Sequence, residues 1–252
     1  MDRLRAAGCV YAEDEAALLS AEAGDQPTRL EDLVARRVGG EPLEHLLGWA
    51  QFAGRRLVVA PGVFVPRRRT ELLAREAVVA AAARPATVLV ELCCGVAAVA
   101  TVVAAGVPGC EVYAVDDDPA AVACAGANLG EAGTVLLGDL ATPLPDGLRG
   151  RVGVLLANPP HVPTAELALL PPEAREHESG AALDGGPDGL AVLRRIIALA
   201  GDWLAPDGVL LLEAGREQAR RLASELAVSG WRSAVLTDEA VSGTVLRAGI
   251  AS

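Results

Sequence analysis

The chain of 252 residues contains no lysine: all 22 basic positions are arginine, set against 33 Asp and Glu, for a net charge of −11. A protein that grips a nucleic-acid backbone needs a basic face, so this balance argues against direct nucleic-acid binding. Aromatic residues are also scarce, 3 % of the chain against 52 % hydrophobic, which leaves Ala, Val and Leu to build the core. Histidine occurs three times, and none of the five cysteines (Cys9, Cys93, Cys94, Cys110, Cys124) has C-x-x-C spacing. That excludes an ordinary zinc site and favours reduced, buried thiols of a cytoplasmic protein. No apolar run is long enough, and free enough of charge and turn residues, to span a bilayer, so no membrane partner is expected. The N-terminal stretch MDRLRAAGCVYAEDEAALL carries acids where a signal peptide is apolar.

What is there changes character along the chain. Up to about residue 40, Leu18, Leu19, Leu30, Leu33 and Val34 recur at helical spacing, Thr28 with Glu31 reads as a capping box, and Gly39-Gly40 stops that helix. Residues 51–65, QFAGRRLVVAPGVFV, read as a β-hairpin turning at Pro61-Gly62, and Thr70 reads as the cap of a helix ELLAREAVVAAAA. From about residue 85, apolar runs alternate with helical segments: TVLVEL, EVYAVD, TVLLGD, RVGVLLA and DGVLLLEAG. Strands apolar throughout and separated by helices predict a parallel sheet covered on both faces. Asp118-Pro119 opens one of the helices. The last segment reads as two strands joined by a turn. A Pro/Gly/acid-rich stretch, 161–189, is long enough for a functional lid. His45 and His177 read as surface or loop residues.

Ligands of such sheets bind at the carboxyl ends of the strands. Those ends carry Glu91-Leu92-Cys93-Cys94-Gly95, then Asp116, then Gly138-Asp139, then Asn158-Pro159-Pro160-His161. A carboxylate after the second strand suits ribose hydroxyls, and Asp139 suits an adenine amino group, each such bond contributing about 1.5–3 kcal/mol. The two prolines hold Asn158 and Pro159 extended and remove competing N–H donors, leaving a stiff acceptor surface.

Taken together, the segments GEPLEHLLGWAQFAGRRLVVAPGVFVPRRRTE, ELCCG, AVDDDPAAVACAGAN, NPPH and AALDGGPDGL resemble, in this order and almost end to end, the protein-(glutamine-N5) methyltransferases that modify release factors, and more closely a divergent branch of them. The resemblance implies an α/β Rossmann-like class I S-adenosylmethionine methyltransferase sheet over 70–252, a small helical substrate-recognition domain over 1–50 and a linking β-hairpin over 51–69. It implies S-adenosyl-L-methionine as cofactor, no metal, and a protein substrate such as a peptide chain release factor. Carried over by position, Glu91, Cys93 and Gly95 line the methionine end, Asp116 holds the ribose, Asp139 or its neighbour Leu140 lies beside the adenine, and Thr70, Cys94, Asp117 and Asn158 are further cofactor contacts. Phe64, Pro160 and His161 wall the substrate pocket. Asn158 and Pro159 accept the two N–H bonds of the substrate amide, aiming its nitrogen at the methyl group and stabilising the charge that develops on it.

The chain departs from the family in three places. The Gly-x-Gly-x-Gly loop appears as Cys93-Cys94-Gly95-Val96-Ala97, and a lost glycine at positive φ costs roughly 1–2 kcal/mol. Arg68 and Arg69 replace the usual Pro-Glu, and either meet an acidic partner or stay solvated. His161 replaces tyrosine, and either stacks on the substrate or caps the loop; as a titrating ring it predicts turnover falling as pH drops through about 6.5. These departures keep two other readings open: a nucleobase or small-molecule N-methyltransferase, and a non-catalytic binding protein on the same scaffold.

Overall fold

A computed structural model describes residues 1–84 and 86–250; Pro85 and the last two residues of the 70–252 unit lie outside the described residues. Four helices open the chain: α1 (Asp2–Ala6), α2 (Ala12–Ala23), α3 (Pro27–Val38) and α4 (Leu43–Leu47). A ribbon of β1 (Trp49–Phe52) and β2 (Arg55–Val58) leads to α5 (Glu71–Ala82). Then follow β3 (Val88–Leu92), α6 (Ala98–Gly106), β4 (Glu111–Asp116), α7 (Pro119–Leu129), β5 (Thr134–Leu137), β6 (Val152–Ala157), α8 (Pro172–His177), α9 (Ala191–Trp203), β7 (Leu204–Glu213), α10 (Arg216–Val228), β8 (Trp231–Asp238) and β9 (Gly243–Ile250).

Seven strands pair in the order β5-β4-β3-β6-β7-β9-β8, parallel except for β9. Alternate side chains of the central strands feed two cores. Leu89, Leu156 and Leu211 pack with α5, α6 and α7 on one face; Val90, Leu155 and Leu210 pack with α9 and α10 on the other. With aromatics absent from the middle strands, Val and Leu fill both layers, as the composition requires. A third core of Leu4, Leu19, Leu33 and Leu46 belongs to the opening helices. Strand order reverses between β3 and β6, and a crevice opens there at the carboxyl ends, where ligands of open α/β sheets bind.

Local expectations differ in four places. The hairpin turns at Ala53-Gly54, not Pro61-Gly62: both turn residues have positive φ (47° and 77°), the two-residue geometry that matches strand twist. Pro61-Gly62 lies downstream, where the Gly62 carbonyl accepts the Ser179 N–H at 3.1 Å. Thr28 caps nothing, because α3 begins one residue earlier at Pro27, a residue suited to the first helical position. Thr70 makes no side-chain capping bond to α5. His45 is buried, with Nε2 at 2.9 Å from the Val63 carbonyl oxygen, so it belongs to the interior rather than the surface.

Candidate active site

The loop after β3 holds its shape through backbone bonds and one acid. The Cys94 N–H donates to the Val115 carbonyl at 3.0 Å, and the Ala97 N–H to the Cys94 carbonyl at 2.8 Å. Cys93, Gly95 and Ala97 all have positive φ (50°, 54° and 57°). These are the three places where the resemblance calls for glycine, so the pattern has a backbone cause, and two side-chain-bearing residues now occupy it. Asp116, at the end of β4, accepts the Gly95 N–H on Oδ2 at 2.8 Å and the Asp118 N–H on Oδ1 at 3.0 Å. A carboxylate offers about four acceptor sites, so two remain for a ligand. Val96 is buried in the core beside α6 and also lines the crevice, and its carbonyl accepts a hydrogen bond from Asn128 Nδ2 at 2.9 Å.

Glu91 is 3 % exposed and accepts the Ala100 N–H of α6 on Oε2 at 2.7 Å. Burial, opposed by the amides of Ala100 and Val99 and reinforced by Asp116, pushes its pKa up to about 8. Burial also raises the carboxyl of Asp116 and the thiols of Cys93 and Cys94, so neither cysteine offers a thiolate nucleophile.

Asn158 and Pro159 leave β6 beside this loop, for Ala157 pairs with Leu92 in register. Asn158 Nδ2 lies 3.4 Å from Thr70 Oγ1, which turns Oδ1 to the other side as a free acceptor. His161 donates Nδ1–H to the Pro159 carbonyl at 2.8 Å. That carbonyl has two lone pairs and keeps one. Burial, with Arg69 nearby, lowers the pKa of His161 against the pull of the Pro159 carbonyl. The ring is therefore neutral at pH 7, and the acid limb expected at about 6.5 moves lower.

One crevice, about 1360 Å³ of empty space including its open mouth, is lined by Phe64, Thr70, Glu91, Cys93, Cys94, Gly95, Asp116, Asp117, Asp139, Leu140, Asn158, Pro159, Pro160 and His161. The structure thus brings together in one crevice every residue that the resemblance assigns to the cofactor or the substrate. Five aspartates (Asp116, Asp117, Asp118, Asp139 and Asp184) and the buried acid Glu91 line it against two arginines, Arg69 and Arg195, a lining that suits a cationic ligand such as a sulfonium. Arg195 Nη2 pairs with Asp139 at 2.5 Å, so Asp139 is less free for an adenine than its position promises.

Several residues here had escaped the sequence. Glu213, at the end of β7, is 3 % exposed in its side chain and accepts Arg69 Nε on Oε1 at 3.1 Å. Its position at a fifth strand end was the available signal. Gln218 of α10 donates to the carbonyls of His161 (2.8 Å) and Gly189 (3.3 Å), closing the 161–189 stretch at its base. Buried Glu178 accepts Arg67 on both oxygens (2.6 and 2.7 Å) and the Val65 N–H at 3.1 Å. Arg37 of α3 reaches Glu173 in α8 at 3.2 Å, so the stretch over the crevice is tied to both the opening helices and the linker. Among the described residues no cluster could hold a metal ion, and no helix is long and apolar enough to cross a membrane.

The sheet order with one reversed strand and an acid-lined crevice at its switch point define a class I methyltransferase. No family model matches the chain. Release factor glutamine methyltransferases of Geobacter sulfurreducens and Mycolicibacterium smegmatis are 38 % and 45 % identical over 202 and 186 residues, covering 79 % and 73 % of this chain and 69 % and 65 % of those proteins. The 4-amino-L-phenylalanine/4-methylamino-L-phenylalanine methyltransferase of Streptomyces pristinaespiralis is 37 % identical over 202 residues, 78 % of this chain and 68 % of that one. The hMettl16 catalytic domain in complex with MAT2A 3'UTR hairpin 6 matches the fold with a TM-score of 0.58 at 14 % identity, over 88 % of this chain and 83 % of that one. The chain belongs to the release factor glutamine methyltransferase family, whose members are S-adenosyl-L-methionine-dependent enzymes.

Proposed function

We propose that the protein methylates N5 of a glutamine side chain in a protein substrate, with a peptide chain release factor as the first candidate. The observation that carries this is the pair of unspent acceptors, Asn158 Oδ1 and the second lone pair of the Pro159 carbonyl, at the rim of an acid-lined crevice. A primary amide presents two N–H bonds and has a weakly nucleophilic nitrogen. Two stiff acceptors orient that nitrogen and stabilise the positive charge that develops on it as the N–C bond forms and the S–C bond breaks, so no general base is needed before transfer and the proton leaves afterwards. S-adenosyl-L-methionine, when bound, supplies the methyl group. Asp116 and Asp117 take its ribose, Glu91, Cys93, Cys94 and Gly95 line its methionine end with Thr70 beside them, and Asp139 and Leu140 flank its adenine. Phe64, Pro160 and His161 wall the acceptor. The helices of residues 1–50 serve as the recognition unit, joined by the 51–69 linker to the catalytic unit of 70–252. The charge of −11 favours a protein acceptor over nucleic acid, and the unpaired cysteines favour a cytoplasmic setting.

The test is incubation with isotopically labelled S-adenosyl-L-methionine and bacterial release factors, read by peptide mass spectrometry. Label on a glutamine, lost with Asn158→Ala, supports the reading; label on no protein of a whole proteome counts decisively against it. A second reading, methylation of a small arylamine, draws on His161 and Arg69 at the acceptor end and on the similarity to the aminophenylalanine enzyme.

A further inference from the structure

The crevice is anionic at nearly every charged position, and its acceptor end holds one exception. Arg69 lines the same wall as Asn158–His161, and its charge reaches His161. The neighbouring arginine, Arg67, is not part of the crevice lining: its Nη2 donates to both oxygens of buried Glu178, and its guanidinium lies 5.0 Å from the Phe64 ring. Arg195, at the opposite end, is paired with Asp139. Arg69 is anchored differently. Only Nε is used, donating to Glu213, while its two terminal nitrogens make no hydrogen bond among the described residues. Glu213 is buried, with Oε2 unpartnered among the described residues, so it holds the arginine from behind while about half of the Arg69 side chain stays exposed.

From this arrangement we infer that Arg69, held by Glu213, is a specificity residue that binds a carboxylate of the methyl acceptor, a few ångströms along from the nitrogen oriented by Asn158 and Pro159. The inference rests on the proposed acceptor position. A guanidinium edge with two free donors matches a planar carboxylate. A phosphate dianion would meet stronger repulsion from the surrounding acids than a carboxylate monoanion does. The carboxylate has two sources: an acidic residue beside the target glutamine of a protein, or the acid group of a small amine.

Two matched pairs of probes separate them: acetyl-Glu-Gln-Glu-amide against acetyl-Ala-Gln-Ala-amide, and 4-aminophenylacetate against 4-aminophenylacetamide. With the intact protein and S-adenosyl-L-methionine, the charged member of one pair is expected to be preferred by about tenfold or more in kcat/KM. Arg69→Gln brings that ratio toward one and Arg69→Glu carries it below one. Because the ratio is taken within each variant, a general disturbance of the site through Glu213 cancels. The pair that shows the preference names the source; equal use of both members in both pairs overturns the inference. Should no probe be methylated, calorimetric binding to protein saturated with S-adenosylhomocysteine decides. A carboxylate preference that disappears in Arg69→Gln upholds the carboxylate site and counts against methylation at this end of the crevice. Binding without preference, or no binding by any probe, overturns the carboxylate site.

Discussion

Two loops leave the centre of the sheet side by side, residues 93–97 after β3 and 158–161 after β6, and they are stiffened by opposite means. The first needs positive φ at three positions and has one glycine to supply it; Cys93 and Ala97 sit in the left-handed region at roughly 1–2 kcal/mol each. Its geometry is imposed from outside, by Asp116, the Val115 carbonyl and Asn128. The second loop carries most of its own constraint, since two prolines fix φ and the His161 ring locks onto the Pro159 carbonyl, with Thr70 and Gln218 bracing its two ends. A strained loop held by neighbours tolerates sequence drift as long as those neighbours remain. A loop that holds itself concentrates function in its own residues.

The largest effect is therefore expected in the self-held loop. Asn158→Ala removes one acceptor and should lower kcat by about 10²–10³-fold, the usual loss for one transition-state hydrogen-bonding group. Cofactor affinity, measured by calorimetry, should change little. A comparable loss of cofactor binding would mean that the two loops are not separable. Next comes the external brace of the other loop. Asp116→Ala removes the Gly95 tether together with the acceptors proposed for the ribose, and should weaken cofactor binding about 10²-fold. An unchanged Kd would show that the loop stands without its brace.

The layered α/β fold, the order of strands and helices and most of the crevice were legible in the sequence, because strand ends in a parallel sheet converge on one edge whatever the details of packing. Glu91, Asp116, Asp139 and the Asn158–His161 run all follow from that rule, and Glu213 follows from it too once the fifth strand is included. Other features were not legible because tertiary contact decides them. The Ala53-Gly54 turn has an alanine at positive φ, so its local signal is weaker than that of Pro61-Gly62, and strand pairing overrides the difference. Glu178 and Gln218 matter through partners 111 and 57 positions away in the chain. The positive φ of Cys93 and Ala97 is visible in the sequence only as a missing glycine.

A third prediction concerns protons at the strained loop. Glu91 has a pKa near 8 in the free protein, so it is mostly protonated at pH 7. A cationic ligand in the crevice favours its charged form and lowers that pKa, so binding releases a proton. Affinity for S-adenosyl-L-methionine should then rise with pH up to about 8 and level off above it, by at most about tenfold per pH unit. Calorimetry at pH 7 in two buffers of different ionisation enthalpy measures the released proton directly. Glu91→Gln should abolish the release, and a wild-type value of zero would break the link between this buried acid and the cofactor.

The smallest effect tests the strain itself. Ala97 opens α6 in a left-handed conformation (φ 57°, ψ 44°), and glycine takes that conformation without a clash. Ala97→Gly therefore removes roughly 1–2 kcal/mol of native-state strain. Against it stands the greater freedom of glycine in the unfolded chain, about 0.5–1 kcal/mol. The net gain should lie between zero and about 1.5 kcal/mol, seen as a higher urea midpoint at constant m-value. Ala100→Gly, at a buried helical position of α6 with no positive φ, is the control and should destabilise, because it bears the same unfolded-state cost with no strain to relieve. Should both substitutions destabilise alike, the left-handed turn is not under strain, and the contrast between a loop braced from outside and one stiffened from within loses its energetic basis.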